Sequence, residues 1–353
     1  MNSSSRASAP GKLVLLGEYA VLFGAPAVVM AVNRRAVVTV GEAPGDRWVV
    51  TAPVLEVDSA ECVLEPSGGV SWSDRDSGER LVMVERVLGG LVARGLLNPV
   101  TARALDLDTA AFFSPAQEGR RKLGLGSSAA LTVALASAVT GRAPEACATD
   151  LEWLRTLVSL HREVQGGLGS GIDVAASLCG GVVGFELDAG GSVAGIAPIR
   201  WPERIFRAFV WTGRSASTGS FLDRLRATRE SGTPGVDEAL DRLGQESERG
   251  VDALARNDPF RFLDAVDRFC EELAVLGRVI DMPILSEAHH RLRQVAAECG
   301  VHYKPSGAGG GDFGICFSTE GDRIDDFCRR AASEGFATPD VELDIEGAAV
   351  GEL

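Results

Sequence analysis

The sequence predicts an α+β fold in two domains. Short apolar stretches separated by Gly and Pro fill the first half of the chain, which is typical of strands and turns. Residues 236–299 instead contain long amphipathic stretches with few helix breakers. With 353 residues and 45% apolar composition, the chain is long enough for two hydrophobic cores. We therefore expect two α+β domains, residues 1–195 and 196–353, divided where strand-rich sequence gives way to helix-rich sequence.

Individual elements follow from the spacing of apolar residues along the chain. Apolar runs bounded by Gly, Pro or Arg predict strands at residues 13–16, 27–32, 36–40, 182–186, 193–199, 206–211 and 314–317. Helical spacing predicts helices at residues 81–97, 127–139, 151–164, 236–255, 259–276 and 283–299. Residues 67–79 are rich in Ser, Gly and Asp, which predicts an exposed loop.

Charge and composition exclude several classes of function. The formal net charge is −14 and the isoelectric point is near 4.9, so the protein repels nucleic acid and anionic lipid. The first residues are polar and Ser-rich, and nowhere do 18 apolar residues run uninterrupted. The seven cysteines include no CxxC pair at metal-ligand spacing. We expect an enzyme-sized cytoplasmic protein, monomer or homodimer, without a nucleic-acid or membrane partner.

Lysine is rare in a chain that is rich in arginine. There are 32 arginines and three lysines, and each lysine (Lys12, Lys122 and Lys304) lies in or near a glycine-containing segment. A lysine ammonium is a compact charge that can approach a phosphate, whereas a guanidinium needs room for its planar fork. The three lysines therefore indicate phosphate chemistry. The alternative is that codon drift from lysine to arginine spared these three positions by chance.

The strongest local signal is at residues 122–130, which read KLGLGSSAA and lead into an Ala-rich helix. Glycines let the backbone approach a phosphate, and the free N–H groups at a helix start bind anions. The segment matches neither GxxxxGK[ST] nor GxGxxG. The residues predicted to bind phosphate groups are Lys122, Gly124, Leu125, Gly126, Ser127, Ser128 and Ala129. A serine hydroxyl there can also reach Mg²⁺, and a helix cap without a ligand is the alternative.

Two further segments place charged residues beside apolar elements. Lys12 opens an apolar strand that is followed by Glu18 and Tyr19, although a merely solvated lysine fits the same pattern. Asp173 follows a Gly/Ser turn and precedes an apolar helix, where a carboxylate is either a helix N-cap or a catalytic group at a cleft. His161 lies on the preceding helix, and we interpret it as a structural histidine rather than a base.

A glycine-dense loop is predicted near the end of the chain. Residues 302–314 read HYKPSGAGGGDFG, with five glycines between Gly307 and Gly314. Such a loop is either disordered or wraps closely around a ligand, and its place between a helix and an apolar strand favours the second interpretation. We predict that Ser306 and the amides after it close over phosphates from the second domain.

Taken in this order, the segments resemble the GHMP kinases, named for galactokinase, homoserine kinase, mevalonate kinase and phosphomevalonate kinase. The family's three motifs match at residues 10–16, 124–130 and 306–311, and the resemblance covers nearly the whole chain. It implies a two-domain fold with a ribosomal-protein-S5-like N-terminal domain and a ferredoxin-like C-terminal domain. It also implies that ATP and Mg²⁺ bind between the domains and that a phosphoryl group passes to a small-molecule substrate.

Finer features resemble the phosphomevalonate kinases within this family. The matching features are residues 18–21, 161–176 and 211–218, and Asp312. Mevalonate kinases usually have His in place of Tyr19 and Pro in place of Gly169. Their Mg²⁺-holding glutamate has no clear match, since Arg162 falls at its offset and Glu163 lies one residue away. The resemblance implies phosphorylation of 5-phosphomevalonate, with mevalonate phosphorylation or a catalytically silent metabolite sensor as alternatives.

The resemblance also implies roles for individual residues. Lys12 is expected to bridge the acceptor and the transferring phosphoryl group, Asp173 to orient Lys12 and the acceptor, and Ser128 to help hold Mg²⁺. The residues expected to contact the substrate are Glu18, Tyr19, Ser170, Gly171, Arg214, Ser217, Ser306, Gly307, Ala308 and Gly309. The short basic run at residues 120–122 either attracts anions or is a solvated loop face.

Overall fold

The computed structural model of the chain describes residues 4–114, 121–142, 150–167, 169–215 and 218–352. The strands are β1 (Ser5–Leu16), β2 (Ala27–Glu42), β3 (Trp48–Ala52), β4 (Val57–Leu64), β5 (Val70–Trp72), β6 (Arg103–Asp108), β7 (Phe113–Ser114), β8 (Arg121–Lys122), β9 (Val182–Leu187), β10 (Val193–Ile199), β11 (Phe206–Trp211), β12 (His302–Pro305), β13 (Phe313–Ser318) and β14 (Ala349–Glu352). The helices are α1 (Arg75–Arg80), α2 (Val82–Ala93), α3 (Ser127–Thr140), α4 (Leu151–Val164), α5 (Ile172–Cys179), α6 (Thr218–Glu230), α7 (Val236–Ala255), α8 (Pro259–Val279), α9 (Glu287–Cys299) and α10 (Gly321–Ser333). Strands and helices are mixed in both halves, so the predicted α+β fold is confirmed. Within the described ranges, no helix combines the length and the apolar character needed to span a bilayer.

The larger sheet is built around β1 and β2, which are antiparallel with Lys12 opposite Ala31. Its strands follow the order β10-β9-β2-β6-β3-β4-β5, and β1 pairs with β2 and β14. Helices α3 and α5 pack on β1 and β2, while α2 and α4 pack on α3. Because α3 is rich in alanine, its backbone can lie close to the sheet. The first turns of α3 and α5 are thereby placed beside β1.

The smaller sheet belongs to the second half of the chain. Its antiparallel strands follow the order β11-β13-β12, and α9 and α10 pack against it. Leu292, Tyr303 and Phe327 are among the buried residues of this second core. Helix α8 packs on both α7 and β12. The glycine-dense segment connects β12 to β13, so its two ends are fixed by neighbouring strands.

Strand β14 returns to the sheet of the first half. It pairs antiparallel with β1, with Ser5 opposite Glu352. Arg35 on β2 forms an ion pair with Asp344, which comes shortly before β14. The larger sheet therefore contains a strand from the end of the described chain, while the division into residues 1–195 and 196–353 remains a prediction.

Several segments differ from the sequence-based expectation. Strand β1 begins at Ser5, so Lys12 lies within it rather than at its start, and residues 302–305 of the predicted loop form β12. The predicted strands at residues 27–32 and 36–40 are one continuous strand, because the Asn33 N–H bonds to the Glu342 carbonyl at 3.0 Å and keeps the polar middle extended. The predicted loop at residues 67–79 instead contains β5 and most of α1. Asp74 caps α1 by accepting the Ser77 N–H at 2.8 Å.

Candidate active site

A cavity of about 310 Å³, called the central cavity here, lies between β1, the first turn of α5 and the loop after β12. The predicted site residues on its walls are Lys12, Glu18, Tyr19, Ser170, Gly171, Asp173, Gly307 and Ala308. A larger groove of about 920 Å³ along β10 contains none of them. Residues from three separate sequence motifs thus meet at one small cavity.

Lys12 and Asp173 form an ion pair on the wall of the central cavity. Lys12 Nζ lies 3.2 Å from Asp173 Oδ1, and the side chains are 12% and 29% exposed. The Lys12 N–H donates to the Leu125 carbonyl at 2.8 Å, which ties β1 to the loop before α3. Gly126 leaves room for the lysine, because a Cβ there would lie 2.9 Å from Lys12 Cγ. Lys12 is therefore fixed in position by its neighbours and is not a solvated surface lysine.

Asp173 lies in the first turn of α5 but does not cap the helix. The cap residue is Gly171, whose φ of 89° is in the left-handed region. Ser170 Oγ accepts the Ile172 N–H at 3.3 Å and supports the same turn. Of the two sequence interpretations of Asp173, the N-cap is wrong, and the carboxylate pairs with Lys12 instead.

The start of α3 offers backbone donors without helical acceptors. Gly126 caps the helix with φ 77°, and its carbonyl accepts the Ala130 N–H at 3.1 Å. The N–H groups of Ser127, Ser128 and Ala129 precede that bond, so they have no acceptor inside the helix. Three amides at the positive end of a helix dipole suit an anion such as a phosphate group.

The remainder of the predicted phosphate loop connects this helix start to β8. A Cβ on Gly124 would lie 2.1 Å from Asp312 Cγ, so glycine is needed for a carboxylate of the second half of the chain to pack here. Leu125 is buried and anchors the loop. Lys122 is exposed on β8, opposite Phe113. The predicted ATP-binding residues thus form one continuous loop with a lysine at its exposed end.

His161 contacts a residue that the motifs assign to the site. Its Nε2 lies 3.1 Å from Ser128 Oγ, and the side chain is 2% exposed. Burial lowers the pKa of His161; Asp173 opposes this shift, and Lys12 adds to it. The neutral ring can accept a hydrogen bond from the Ser128 hydroxyl. The apolar face of α4 indicates that His161 is buried, but nothing in the sequence indicates its partner.

Arg162 supports the turn before α5. Its Nε donates to the Gly169 carbonyl at 2.9 Å and its Nη2 to the Ser170 carbonyl at 3.0 Å. Burial lowers the pKa of Arg162. The residue at the offset of the mevalonate kinase glutamate is therefore a cation that binds backbone carbonyls, which is not the chemistry of a metal ligand.

The donor set fits a magnesium ion that is held mainly by a nucleotide. Over the described part of the chain, no three His, Cys, Asp or Glu side chains converge as a metal cage. Mg²⁺ keeps several waters and is usually held by one or two protein oxygens together with substrate phosphates. Ser128 Oγ, next to the free amides of α3, is an oxygen donor of this kind.

A buried ion pair joins the turn after β1 to β12, just before the glycine-dense loop. Lys304 Nζ lies 2.5 Å from Glu18 Oε1, with side chains 0% and 3% exposed. The same carboxylate oxygen accepts the Gly307 N–H at 3.1 Å. Because a single buried charge without a partner is costly, each member of the pair requires the other. The pair therefore fixes the loop against the wall of the central cavity.

Tyr19 makes a second connection to this loop. Its hydroxyl donates to the Ala308 carbonyl at 2.5 Å, and its backbone is in the left-handed region with φ 62°. Burial, and to a lesser degree Glu18, raises the pKa of Tyr19 far above its ordinary value. The tyrosine hydroxyl thus stays protonated and acts as a donor.

Ser306 and Gly309 are predicted substrate contacts that do not line the central cavity. Ser306 Oγ donates to the Val14 carbonyl at 3.0 Å and accepts the Val14 N–H at 2.9 Å. Gly309 packs on Ile284, whose carbonyl oxygen would lie 2.3 Å from a Cβ at this position. Both residues hold the loop in place, and their direct contact with a substrate stays a prediction.

Arg214 and Ser217 complete the predicted substrate contacts. Arg214 is exposed, and its carbonyl accepts the Asp312 N–H at 2.7 Å. Ser217 lies outside the described residues. Gln165 and Leu222 also line the central cavity but were not among the predicted site residues. Gln165 lies inside the matching segment 161–176, although no role was predicted for it, and Leu222 lies outside the motifs.

Comparison with known sequences places these features in a family. Residues 115–181 match the GHMP kinases N terminal domain. The chain is 30% identical over 330 residues to a phosphomevalonate kinase from Streptomyces sp. strain CL190, covering 87% of this chain and 88% of that protein. It is 36% identical over 186 residues to a mevalonate kinase from Methanothermobacter thermautotrophicus, covering 51% and 49% of the two chains.

The fold is also similar to a solved structure, that of Streptococcus pneumoniae phosphomevalonate kinase in complex with phosphomevalonate and AMPPNP. The TM-score is 0.75 at 18% identity, over 96% of this chain and 99% of that one. At this identity the similarity shows the fold alone. The match along most of the Streptomyces enzyme shows the family as well. This chain belongs to the GHMP kinase family.

Proposed function

We propose that this kinase transfers the γ-phosphoryl group of ATP to the phosphate of 5-phosphomevalonate, giving 5-diphosphomevalonate and ADP. The observation that carries the proposal is the Lys12–Asp173 pair, 3.2 Å apart on the wall of the central cavity. A carboxylate that is engaged with a cation suits an acceptor that needs charge neutralisation more than deprotonation. The 30% identity to a phosphomevalonate kinase over 88% of its length supports the same choice.

The acceptor phosphate explains why a cation would matter most. A phosphate monoester has a second pKa of about 6, so near neutral pH it is largely a dianion and needs little proton abstraction. One of its oxygens attacks the γ-phosphorus as the bond from that phosphorus to the bridging oxygen of ADP breaks. Lys12 would lie between the two anions, and Asp173 would hold the lysine in position.

The start of α3 would hold the nucleotide. The amides of Ser127, Ser128 and Ala129 would bind its phosphates, and Lys122 would add a charge from the exposed end of the loop. Ser128 Oγ would hold Mg²⁺, which when bound neutralises charge on the nucleotide phosphates. If the Ser128 hydroxyl donates its hydrogen bond to His161, the lone pairs of the oxygen stay available for this purpose.

The central cavity would hold the acceptor. A volume of about 310 Å³ suits a small acid, and the walls combine apolar Leu22 and Leu222 with polar Ser170 and Gln165. This mixture suits a short branched carbon chain that carries polar groups. Tyr19 is fixed to the glycine-dense loop, so its ring would form one rigid side of the acceptor site.

Phosphorylation of mevalonate is the second candidate, favoured by the 36% identity to a mevalonate kinase over 186 residues. In that reaction Asp173 would accept a proton from the substrate hydroxyl as it attacks the γ-phosphorus. The position of Asp173 on the cavity wall permits this role. The two candidates therefore differ in the charge that Lys12 faces and in whether Asp173 must act as a base.

A coupled ADP-release assay with 5-phosphomevalonate, mevalonate, galactose and homoserine tests the proposal. We expect kcat/KM for 5-phosphomevalonate to exceed that for mevalonate by about a hundredfold or more, because a site built around a phosphate leaves its donors unpaired with a neutral hydroxyl. Equal turnover of the two, or a preference for mevalonate, would refute the proposed substrate. It would leave membership of the kinase family intact.

A further inference from the structure

We propose that His289 is a positioning residue that sets the conformation of the glycine-dense loop, residues 307–311, for phosphoryl transfer. The proposal rests on the proposed function in one respect, that this loop forms part of the acceptor site. His289 lies in the first turn of α9, outside all the glycine motifs. It does not line the central cavity and so acts through the loop.

Both ring nitrogens of His289 have a partner. Nε2 lies 2.9 Å from the Gly311 carbonyl oxygen, Nδ1 lies 2.8 Å from Tyr303 Oη, and the side chain is fully buried. A carbonyl oxygen only accepts hydrogen bonds, so Nε2 must carry a proton. The ring is therefore a donor to the loop on one side and meets the tyrosine hydroxyl on the other.

The protonation of Nδ1 follows from the surroundings of the ring. Burial lowers the pKa of His289 to about 4; the hydrogen bond to Gly311 opposes this shift, whereas Lys304 and His290 add to it. The ring is then neutral, so Nδ1 accepts a hydrogen bond from the Tyr303 hydroxyl. Gly314 is needed for this arrangement, because a Cβ there would lie 1.9 Å from Tyr303 Oη.

Two residues that are close together in the chain, Ile284 and His289, hold the loop by hydrogen bonds. The Gly310 N–H donates to the Ile284 carbonyl at 2.8 Å, and His289, five residues further on, holds the Gly311 carbonyl. These two bonds fix the peptide groups on either side of the Gly310–Gly311 peptide, near the end of the loop. On the cavity side, Gly307 and Ala308 are held by Glu18 and Tyr19 as described above.

The His289 bond also reaches the phosphate side of the site. Asp312 follows Gly311 directly, and its carboxylate packs against Gly124 of the loop before α3. Asp312 has φ 56°, a left-handed conformation that needs support from its surroundings. A rotation of the Gly311 peptide would therefore move both the wall of the acceptor cavity and the group that packs on the nucleotide loop.

Two substitutions separate the role of each nitrogen. In His289→Gln the side-chain amide can occupy the place of Nε2 and donate to the Gly311 carbonyl, whereas in His289→Asn it reaches only the place of Nδ1. His290→Gln is the matched control, because His290 is the exposed neighbour on the same helix. We expect kcat to fall about tenfold or more in His289→Asn and to stay within about threefold of wild type in His289→Gln and His290→Gln.

The measurements are kcat and both KM values for folded variants, with thermal unfolding to compare their stability. Nitrogen NMR of the wild-type ring should show the proton on Nε2 at neutral pH. Equal kcat losses in the Asn and Gln variants, or a proton on Nδ1 alone, would overturn the proposal, and so would a full rate in His289→Asn. If mevalonate proves to be the better acceptor of the wild-type enzyme, the same variants can be compared on mevalonate. The wild-type enzyme alone therefore tests the proposed substrate, and the variants test the role of His289.

Discussion

Replacing Lys12 by Met tests the charge-neutralising role directly. Methionine keeps an unbranched side chain beside Gly126 and removes the ammonium 3.2 Å from Asp173. At an effective dielectric constant of about 20, charges at this distance interact by about 5 kcal/mol. Because both side chains are partly exposed and must be desolvated, we expect the variant to lose only about 1–2 kcal/mol of unfolding free energy.

The loss in rate should be much larger than the loss in stability. Lys12 would act most strongly when two phosphate groups meet, so its removal should cost about 4 kcal/mol in the transition state, or about 10³-fold in kcat. The assay is ADP release at saturating ATP and 5-phosphomevalonate, with calorimetric titration of Mg²⁺-ATP on the same variants. Nucleotide affinity should change little, because the amides of α3 remain. Asp173→Asn keeps the shape of the pair and should cost less in kcat than Lys12→Met.

Two results would refute this reasoning. A Lys12→Met variant that keeps kcat within about tenfold of wild type would show that no cation is needed between the anions. If Asp173→Asn is the more damaging change, and the wild-type loss of rate at acidic pH disappears in that variant, then Asp173 is a general base. Phosphorylation of a hydroxyl would then be the better proposal.

Three further predictions concern binding, the buried ion pair and pH. Gly126→Val should abolish ATP binding in a nucleotide titration, because a β-branched residue at φ 77° and against the Lys12 side chain would distort the start of α3 and the amides there. Gly95→Val is the control, since Gly95 also has a positive φ but faces open space. Glu18→Gln and Lys304→Met should each lose about 3–5 kcal/mol of unfolding free energy in denaturant titrations, and the double variant should recover part of that loss. The pKa of His289 is about 4 when folded and 6.5 at its ordinary value, so between these values the unfolded state binds more protons. Stability is therefore lost as pH falls from 6.5 towards 4, by about 3 kcal/mol from this residue, and His289→Gln should flatten that slope.

Each of these has a clear contrary result. Unchanged ATP affinity in Gly126→Val would mean that the glycine loop is only a helix cap. Strictly additive losses in the Glu18 and Lys304 double variant would mean that the two charges are not coupled. An unchanged acid slope in His289→Gln would mean that other groups carry the pH dependence.

Local signals were sufficient to predict two helices of the site, α3 and α4. Helix α3 begins at Ser127 as predicted, because the left-handed conformation of Gly126 caps it. Helix α4 has the predicted bounds, since Asp150 accepts the Trp153 N–H at 3.0 Å and stops the chain from fraying there. Glycine and short polar residues act over three or four positions, so their effects can be read along the chain.

Partners that are distant in sequence could not be predicted. His161 and Ser128 are 33 residues apart, and Glu18 and Lys304 are 286 apart. Their pairing depends on how α4 lies beside α3 and how β12 lies beside β1. The glycines of the third motif indicated a close approach, yet for Gly309 the approaching group is a backbone carbonyl of this same chain.

The pairing of β14 with β1 has a consequence for fragments of the protein. The turn between β9 and β10, at residues 188–190, is exposed, so a protease could cut the chain there. The ladder from β1 to β14 and the Glu18–Lys304 pair both connect the two sides of such a cut. A nicked protein should therefore stay assembled, and two separately made fragments should complement each other. Because one fragment carries Lys12 and the other the glycine-dense loop, recovered kinase activity would itself report reassembly.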